Sequence, residues 1–338
     1  MFVLSTSRRH DKLYYLLYGG LRIPYRNLSK CFIVVKEMKL YHIITYMRKS
    51  LTRRDFLKLL KAAAIDLALL TVGSSGYGLL IAPAQVKIES VRLKLGRLSP
   101  AFHGIRIAQV SDIHMGGWMN AERFQHIVNL IISQQPDLLL LTGDFLLGHG
   151  FNKKSEQHLQ DLINILSPLS RTIPCFAILG NHDYWTNAKA VREMLKASGI
   201  TNLTNTVFTI SRGNEHLHLC GVDDVWEGEV RLEDVLSQLP DDGAAILLAH
   251  EPDFADQSAV TGRFDLQVSG HSHGGQVVLP FVGPPILPYL GQKYPSGIYE
   301  IRGMYQYTNR GVGTGRLPVR LNCPPEITIF NLEANSSI

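Results

Sequence analysis

Cysteine is scarce in this chain: four in 338 residues, at positions 31, 175, 220 and 323, with no C-x-x-C pair. That spacing excludes a zinc ribbon and a disulfide framework. Cys175 and Cys220 lie in apolar runs, where a thiol serves as a small buried hydrophobe. Long uninterrupted apolar stretches are also missing. The best candidate, Leu67 to Ala82, is short and glycine-rich for a spanning helix, which needs about 20 apolar residues. Internal repeats, low-complexity tracts and long linkers are absent. So is a basic body. The formal charge of +5 comes from residues 1–84, with 14 Lys/Arg against 4 Asp/Glu; residues 85–338 carry 20 against 25. A mildly acidic body disfavours sequence-independent affinity for DNA, and no specific nucleic-acid partner is expected. It can still bind phosphate if metal ions supply the positive charge.

What is present begins with a leader. Residues 1–46 are polar and tyrosine-rich without a sustained period, and read as a non-structural or upstream segment, with Met47 (or Met38) a candidate for the true start. Residues 47–84 hold Arg53-Arg54, then Phe56-Leu57-Lys58, then an Ala/Gly/Leu-rich stretch interrupted by Asp66, then Ala82-Pro83-Ala84 as an A-x-A-like cleavage site. The order of basic, apolar and small-residue regions resembles a twin-arginine export signal. It implies the twin-arginine export machinery as a partner and an exported or membrane-associated protein of the cell envelope. Membrane association on the cytoplasmic face is the alternative.

Residues 85–338 read as one α/β domain with a β-rich C-terminal part. VKIESVRLKL alternates with a period of two, as a half-buried strand does. IRIAQV, LLLLT, CFAIL, LHLCG, AAILLA and FDLQVSG are further strand runs, and LLLLT is apolar throughout, as expected for a strand covered on both faces. Asn120 is a candidate N-cap for a helix carrying Phe124, Ile127, Val128 and Ile131 at helical spacing. Further helices are expected near 156–169 and 188–197. GIYEI, MYQYTNRG and EITIF read as meander strands.

Five of these strand runs end in metal-binding or proton-transferring residues. One ends at Asp112 and His114, a second at Asp144, a third at Asn181, His182 and Asp183, a fourth at His250, and the last at His271 and His273. In open α/β sheets, ligand sites lie beyond the carboxyl ends of the strands. Strand ends gathered on one edge would bring these groups together. The set holds no cysteine, lysine or serine as an obvious nucleophile. Oxygen and imidazole donors suit first-row divalent ions (Mn, Fe, Zn, Ni or Co) over a thiolate site. Seven donors exceed one tetrahedral ion but fit two ions sharing a carboxylate. Such a pair, about 3.5–4 Å apart, can clamp a phosphoryl group for in-line displacement.

The motifs D-I-H (112–114), G-D (143–144), G-N-H-D (180–183), the lone strand-end His250 and G-H-S-H (270–273) resemble the calcineurin-like metallophosphoesterase family, in order, over about residues 100–335. GHSHGGQ followed by RGVGTGRLPVRLNCPPEITIF is similar to a bacterial branch that includes twin-arginine leaders and the UDP-diacylglucosamine pyrophosphatases of lipid A synthesis. The resemblance implies a four-layer α/β/β/α sandwich of two mixed sheets, with the metal site at the strand C-terminal ends. It implies that Asp112, His114 and His273 bind one metal, that Asn181, His250 and His271 bind the other, and that Asp144 bridges them. His182 would protonate the leaving oxygen or stabilise charge there, with Asp183 fixing its orientation and tautomer. The expected activity is hydrolysis of a phosphodiester or pyrophosphate in an envelope or lipid-linked substrate. A scaffold that keeps the fold without chemistry is the competing class; such proteins lose ligands, and none is missing here.

The remaining polar residues are read conservatively. Histidines outside the motifs, His149 among them, are assigned to surface or packing, and Trp118, Tyr184, Trp185 and Trp226 to packing. Asp223, Asp224, Glu227 and Glu229 are read as a solvated turn. Arg310 and Arg316 are open between substrate phosphate and structure. Gly180 is expected to permit a tight turn, and Gly274 and Gly275 to let backbone approach the metals.

Overall fold

The computed structural model describes residues 76–335 without interruption; before them it describes 2–8, 11–18, 21–25, 53–54, 56–57 and 60–61. Contacts divide the chain into two units, Met1–Val72 and Gly73–Ile338. In the first unit β1 (Phe2–Arg8), β2 (Asp11–Tyr18) and β3 (Leu21–Tyr25) form an antiparallel meander, in a region given no elements on sequence. Most of the expected leader, including all of residues 62–75, lies outside the described residues. Its end belongs to the second unit, where Ala82 and Pro83 are buried. No helix among the described residues is long and apolar enough to cross a membrane.

The second unit holds two six-stranded mixed sheets. The first contains β4 (Lys87–Leu95), β5 (Arg106–Val110), β6 (Leu138–Thr142), β7 (Cys175–Ile178), β8 (Thr201–Asn202) and β15 (Glu326–Ala334), in the order β4-β15-β5-β6-β7-β8. β5 to β8 run parallel; β15 is parallel to β4 and antiparallel to β5. The second contains β9 (Thr206–Arg212), β10 (Glu215–Gly221), β11 (Ala244–Leu248), β12 (Leu266–Ser269), β13 (Gly297–Ile301) and β14 (Met304–Thr308), in the order β13-β14-β12-β11-β10-β9. Its four inner strands are parallel and its two edges antiparallel.

Side-chain alternation along each strand builds the layers. On β6, Leu138 and Leu140 point into the core between the sheets, while Leu139 and Leu141 point the other way. There they meet Phe124, Ile127 and Ile131 of α1 (Ala121–Ser133), Leu162 and Leu166 of α2 (Lys153–Ser170) and Val191 and Leu195 of α4 (Ala188–Ala197). α3 is the short helix Asn181–Thr186. On β11, Ile246 and Leu248 face the inter-sheet core; Ala245 and Leu247 face Val235 of α5 (Leu232–Gln238) and Phe254. The result is four layers, helix–sheet–sheet–helix. Leu140 is fully buried between the sheets, so Leu140→Ala is expected to cost roughly 2–5 kcal/mol in urea unfolding.

Two differences from the sequence expectation have simple causes. EITIF does not continue the meander; β15 crosses to the first sheet and inserts between β4 and β5, where Ile327 and Ile329 face the helices and Phe330 and Leu332 the inter-sheet core. β9 and α5 have weak patterns: β9 is an edge strand with no buried residue, and α5 buries only Val235.

Candidate metal centre

All five donor-bearing strands run parallel within their sheets and end on one rim. Backbone bonds hold the loops that follow them. Asp112 N–H donates to Gly143 O (3.0 Å) and His114 N–H to Asp144 O (3.0 Å), joining the loops after β5 and β6. The glycine-rich tail backs this pair: Val312 N–H donates to Ser111 O and Gly313 N–H to Asp112 O (2.8 Å). Arg320, which drew no attention in the sequence, is fully buried there and donates to the carbonyls of Arg310, Gly311, Gly313 and Cys323. Burial lowers its pKa to about 10.

Asp112, His114, Asp144, Asn181, His250, His271 and His273 come together, all buried. Asp144 Oδ2 lies 3.3 Å from His250 Nε2 and 3.5 Å from His114 Nε2. Asp112 Oδ1 lies 3.3 Å from His273 Nε2, which in turn is 2.9 Å from His114 Nε2. Asn181 Oδ1 faces His271 Nδ1 at 3.0 Å. Asp112, His114, Asp144, His271 and His273 also have left-handed backbone, with φ between 50° and 66°. That conformation is uncommon outside glycine, so strain is concentrated at this rim.

The hydrogen bonds set the tautomers. His250 Nδ1–H donates to Thr142 O (2.6 Å) and His271 Nε2–H to Tyr289 O (2.7 Å), because a carbonyl can only accept. Each ring therefore turns its other nitrogen inward. His271 Nδ1 then faces an amide oxygen, acceptor against acceptor, and His250 Nε2 has no hydrogen-bond partner. A cation between such groups removes both conflicts, and the donor set fits divalent ions. Three overlapping groups have ligand atoms within 4.8 Å of one another: Asp112–His114–His273, His114–Asp144–His182 and Asp112–Asp144–His250.

Electrostatics agree. Burial opposes ionisation of Asp112 and Asp144, yet His273 beside the first and His250 and His182 beside the second hold both carboxyls below the usual range. Burial lowers His114 to about 3 and also lowers His271, keeping both rings neutral and able to ligate. His250 moves the other way: against burial, Asp144 and Asp112 raise it well above its ordinary value. This is a place where positive charge is stabilised.

Three expectations require correction. Asp183 does not touch the His182 ring. At the third position of α3 its carboxylate turns back and accepts N–H groups from Gly180 (3.0 Å), Asp144 (2.9 Å), Phe145 (2.9 Å) and Leu146 (3.3 Å), fixing the loop that carries Asp144. Burial, then the charge of Asp144, push it up to about 7 against the pull of those N–H donors. Gly180 has ordinary extended φ of −119°; glycine is needed because a Cβ would sit 2.4 Å from Asp144 Oδ1 and 2.7 Å from the His250 ring. Gly180→Ala is expected to cost roughly 1–3 kcal/mol by overpacking and to lower metal content, read by thermal melting and elemental analysis. Gly274 follows the donor His273 directly and Gly275 lines the cavity; a Cβ on Gly274 would strike Cys323 and one on Gly275 would strike Pro284. Asp223 and Asp224 are buried rather than solvated. Asp224 accepts N–H from Trp226 and Glu227, Asp223 accepts from Tyr184 Oη and Glu229 N–H, and together they shape the loop that presents Trp226. Burial and neighbouring Glu251 raise Asp224 to about 9.

The donors open into a cavity of about 670 Å³. His182 borders it, edge-on to His114 (4.7 Å between ring centroids) and to Trp185 (4.6 Å), with Nδ1 unpartnered. Burial lowers its pKa. His149, assigned on sequence to surface or packing, lines the same cavity, stacks on Trp185 (4.9 Å) and accepts from Arg316 Nη2 (3.0 Å). The available signal was its position in the loop that follows Asp144. Arg316 thus stays at the site, whereas Arg310 is taken by Glu326 (2.5 Å) and Glu89 (2.7 Å) and is structural.

A family model of calcineurin-like phosphoesterases matches residues 105–275. The chain is 34% identical over 290 residues to the metallophosphoesterase YkuE of Bacillus subtilis (strain 168), covering 85% of this chain and 100% of that one. It is 32% identical over 286 residues to the phosphodiesterase YaeI of Escherichia coli (strain K12), covering 83% and 99%. A transmembrane protein with metallophosphoesterase domain from Danio rerio is 29% identical over 269 residues, covering 75% of this chain and 58% of that one.

Proposed function

From the premise that the chain belongs to the calcineurin-like phosphoesterase family, a family of metal-dependent phosphoric ester hydrolases, we propose that it is a two-metal phosphodiesterase or pyrophosphatase acting on a cell-envelope or lipid-linked substrate. The observation that carries the reading is Asp144 Oδ2 set between His250 and His114, with inward-facing acceptors on either side. Asp112, His114 and His273 would hold one divalent ion (Mn, Fe, Zn, Ni or Co), and Asn181, His250 and His271 the other. Asp144 would be shared. When bound, such ions polarise a phosphoryl oxygen and make a coordinated water more acidic. The protein supplies the rest. Asp183 fixes the loop bearing Asp144, and Thr142 O and Tyr289 O lock two imidazoles in the ligating tautomer. Trp185 and Trp226 wall off the cavity. His182 would give a proton to the leaving oxygen, and Arg316 would meet a second phosphate or diester oxygen.

The similarity to a phosphodiesterase over 83% of this chain and 99% of that one favours a diester. UDP-2,3-diacylglucosamine is the sharpest lipid-linked alternative, and it requires a site facing the cytoplasm. The Arg53-Arg54 leader favours an exported or membrane-held protein instead, and buried Ala82 and Pro83 argue that the leader stays attached. Elemental analysis of purified protein, followed by a panel of phosphomonoesters, phosphodiesters and nucleotide-sugar pyrophosphates, tests the reading. Metal-loaded protein inert toward all three would leave the non-catalytic scaffold.

A further inference from the structure

Between Gly274 and Gln292 the chain carries no charged residue and four prolines, at 280, 284, 285 and 288. Apolar residues without regular structure are usually buried; these are not. Leu279 and Gly283 close a tight turn, and Phe281 at its tip is fully exposed (110%) with left-handed φ of 65°. Val282 is 74% exposed and Ile286 79%. A bulky residue with positive φ is a genuine outlier, usually maintained for a purpose. The segment also reaches the donors. Val277, Ile286 and Pro288 line the cavity, and Tyr289 O holds the His271 ring. An apolar surface therefore runs from the metal centre out to Phe281, and Leu317 (69% exposed) faces it from the tail side of the cavity.

A second observation ties it to the end of the leader. Residues 319–321 lie between two segments. Arg320 N–H donates to Gly78 O (2.9 Å), while Leu321 N–H donates to Gln276 O (2.9 Å) and Leu321 O accepts Val278 N–H (2.9 Å). The end of the leader and the stem of the apolar turn are thus joined through one intervening segment. Leu79 and Ile81 on the leader side are themselves exposed. In the sequence this end is preceded by the apolar stretch AAAIDLALLTVG at 62–73. Exposed Arg316 on the rim suits phosphate head groups.

We infer that the turn at 277–291, with Leu317 and the exposed end of the leader, is a bilayer-docking surface that sets the mouth of the cavity on a lipid surface. Phe281 and Val282 enter the head-group and acyl boundary, a depth of roughly 5–10 Å for interfacial apolar groups. Patches of this kind, contiguous and apolar, mark interaction sites in proteins that otherwise cover them. The docking does not depend on the reaction, but its use, delivering a lipid-borne diester to the metals, rests on the phosphodiesterase reading.

The test uses the full chain with a tryptophan placed at the tip, Phe281→Trp, and a control, Ile132→Trp. Ile132 is exposed in the last turn of α1, which runs back from the donor-bearing rim toward the opposite end of the sheet. Each is mixed with phosphatidylcholine–phosphatidylglycerol vesicles whose acyl chains are brominated or not, and its added emission is read against the parent. Docking predicts a blue shift and about twofold or stronger quenching by brominated lipid for Phe281→Trp, with Ile132→Trp unaffected. The leader can bind vesicles by itself without producing that difference. Equal quenching at both positions, or none at the tip, overturns the inference. If the tip stays unquenched and sedimentation shows a dimer that Phe281→Ser dissolves, the surface belongs to a second copy. Hydrolysis of bis(4-nitrophenyl) phosphate in free solution is expected to match the parent in every variant, since neither site lines the cavity. A parent unable to cleave it would refute the phosphodiesterase reading and leave the docking result standing.

Discussion

Asp144→Ala is expected to purify folded and to lose turnover of bis(4-nitrophenyl) phosphate by about 10³-fold or more, the several kcal/mol that metal-assisted charge stabilisation supplies. No other carboxylate oxygen replaces it. Oδ2 is the atom between His250 and His114, while Asp112 stands 3.9 Å from His114 and bonds both its oxygens to His271 N–H. Losing it leaves the two halves of the site without a shared ligand, so metal content should fall as well. The fold should survive at reduced stability: the neighbouring histidines hold Asp144 ionised against burial, and removing one partner of a buried charge pair leaves the other uncompensated. Asp144 Oδ1 is the remaining concern, since it accepts the His182 N–H at 2.9 Å. Asp144→Asn keeps that acceptor and should match or exceed the alanine variant in melting temperature while remaining slow. Elemental analysis, a melting curve and steady-state rates on the same preparations decide the matter. Parent-like turnover with parent-like metal content in either variant would falsify the bridging role.

The donors were legible in the sequence because parallel strands buried on both faces are short apolar runs, and each run here stops at a polar residue. LLLLT followed by Gly143-Asp144 needs no structure to be read as a strand delivering a carboxylate. Neighbourhood along the chain misled in other places. Asp183 follows His182, but as the third residue of a short helix its side chain folds back on the helix start, where free N–H groups attract a carboxylate. Charge misled in the same way at Asp223 and Asp224: four acids within seven residues look solvated, yet two of them are buried by satisfying backbone N–H groups. At 277–291 valine, leucine, phenylalanine and isoleucine lie outside the helices and sheet strands, and several are exposed. The absence of charge together with four prolines was the clue that these residues form neither helix nor central strand. Long-range placement, such as Arg316 meeting His149 or β15 inserting into the first sheet, carries no local signal at all.

His182→Ala is expected to slow hydrolysis by roughly 10²–10⁴-fold, the range for a positioned proton donor, while keeping the metal content of the parent. Its ring borders the cavity and meets His114 and Trp185 only edge-on, so removing it should leave the seven donors in place. The size of the loss should depend on the leaving group. A nitrophenolate departs without a proton and should lose least, whereas an alkoxide needs one and should lose most, so an alkyl diester will separate from an aryl diester in the variant more than in the parent. That dependence distinguishes proton donation from ligation. His182 also falls within 4.8 Å of ligand atoms of His114 and Asp144, and a residue that merely held an ion would, when removed, lower occupancy and slow every ester alike. A metal-poor His182→Ala protein with uniform losses would therefore move His182 into the ligand set. The leaving oxygen would then need its proton from another group at the rim, with His149, paired to Arg316 and stacked on Trp185, as the neighbour to change next.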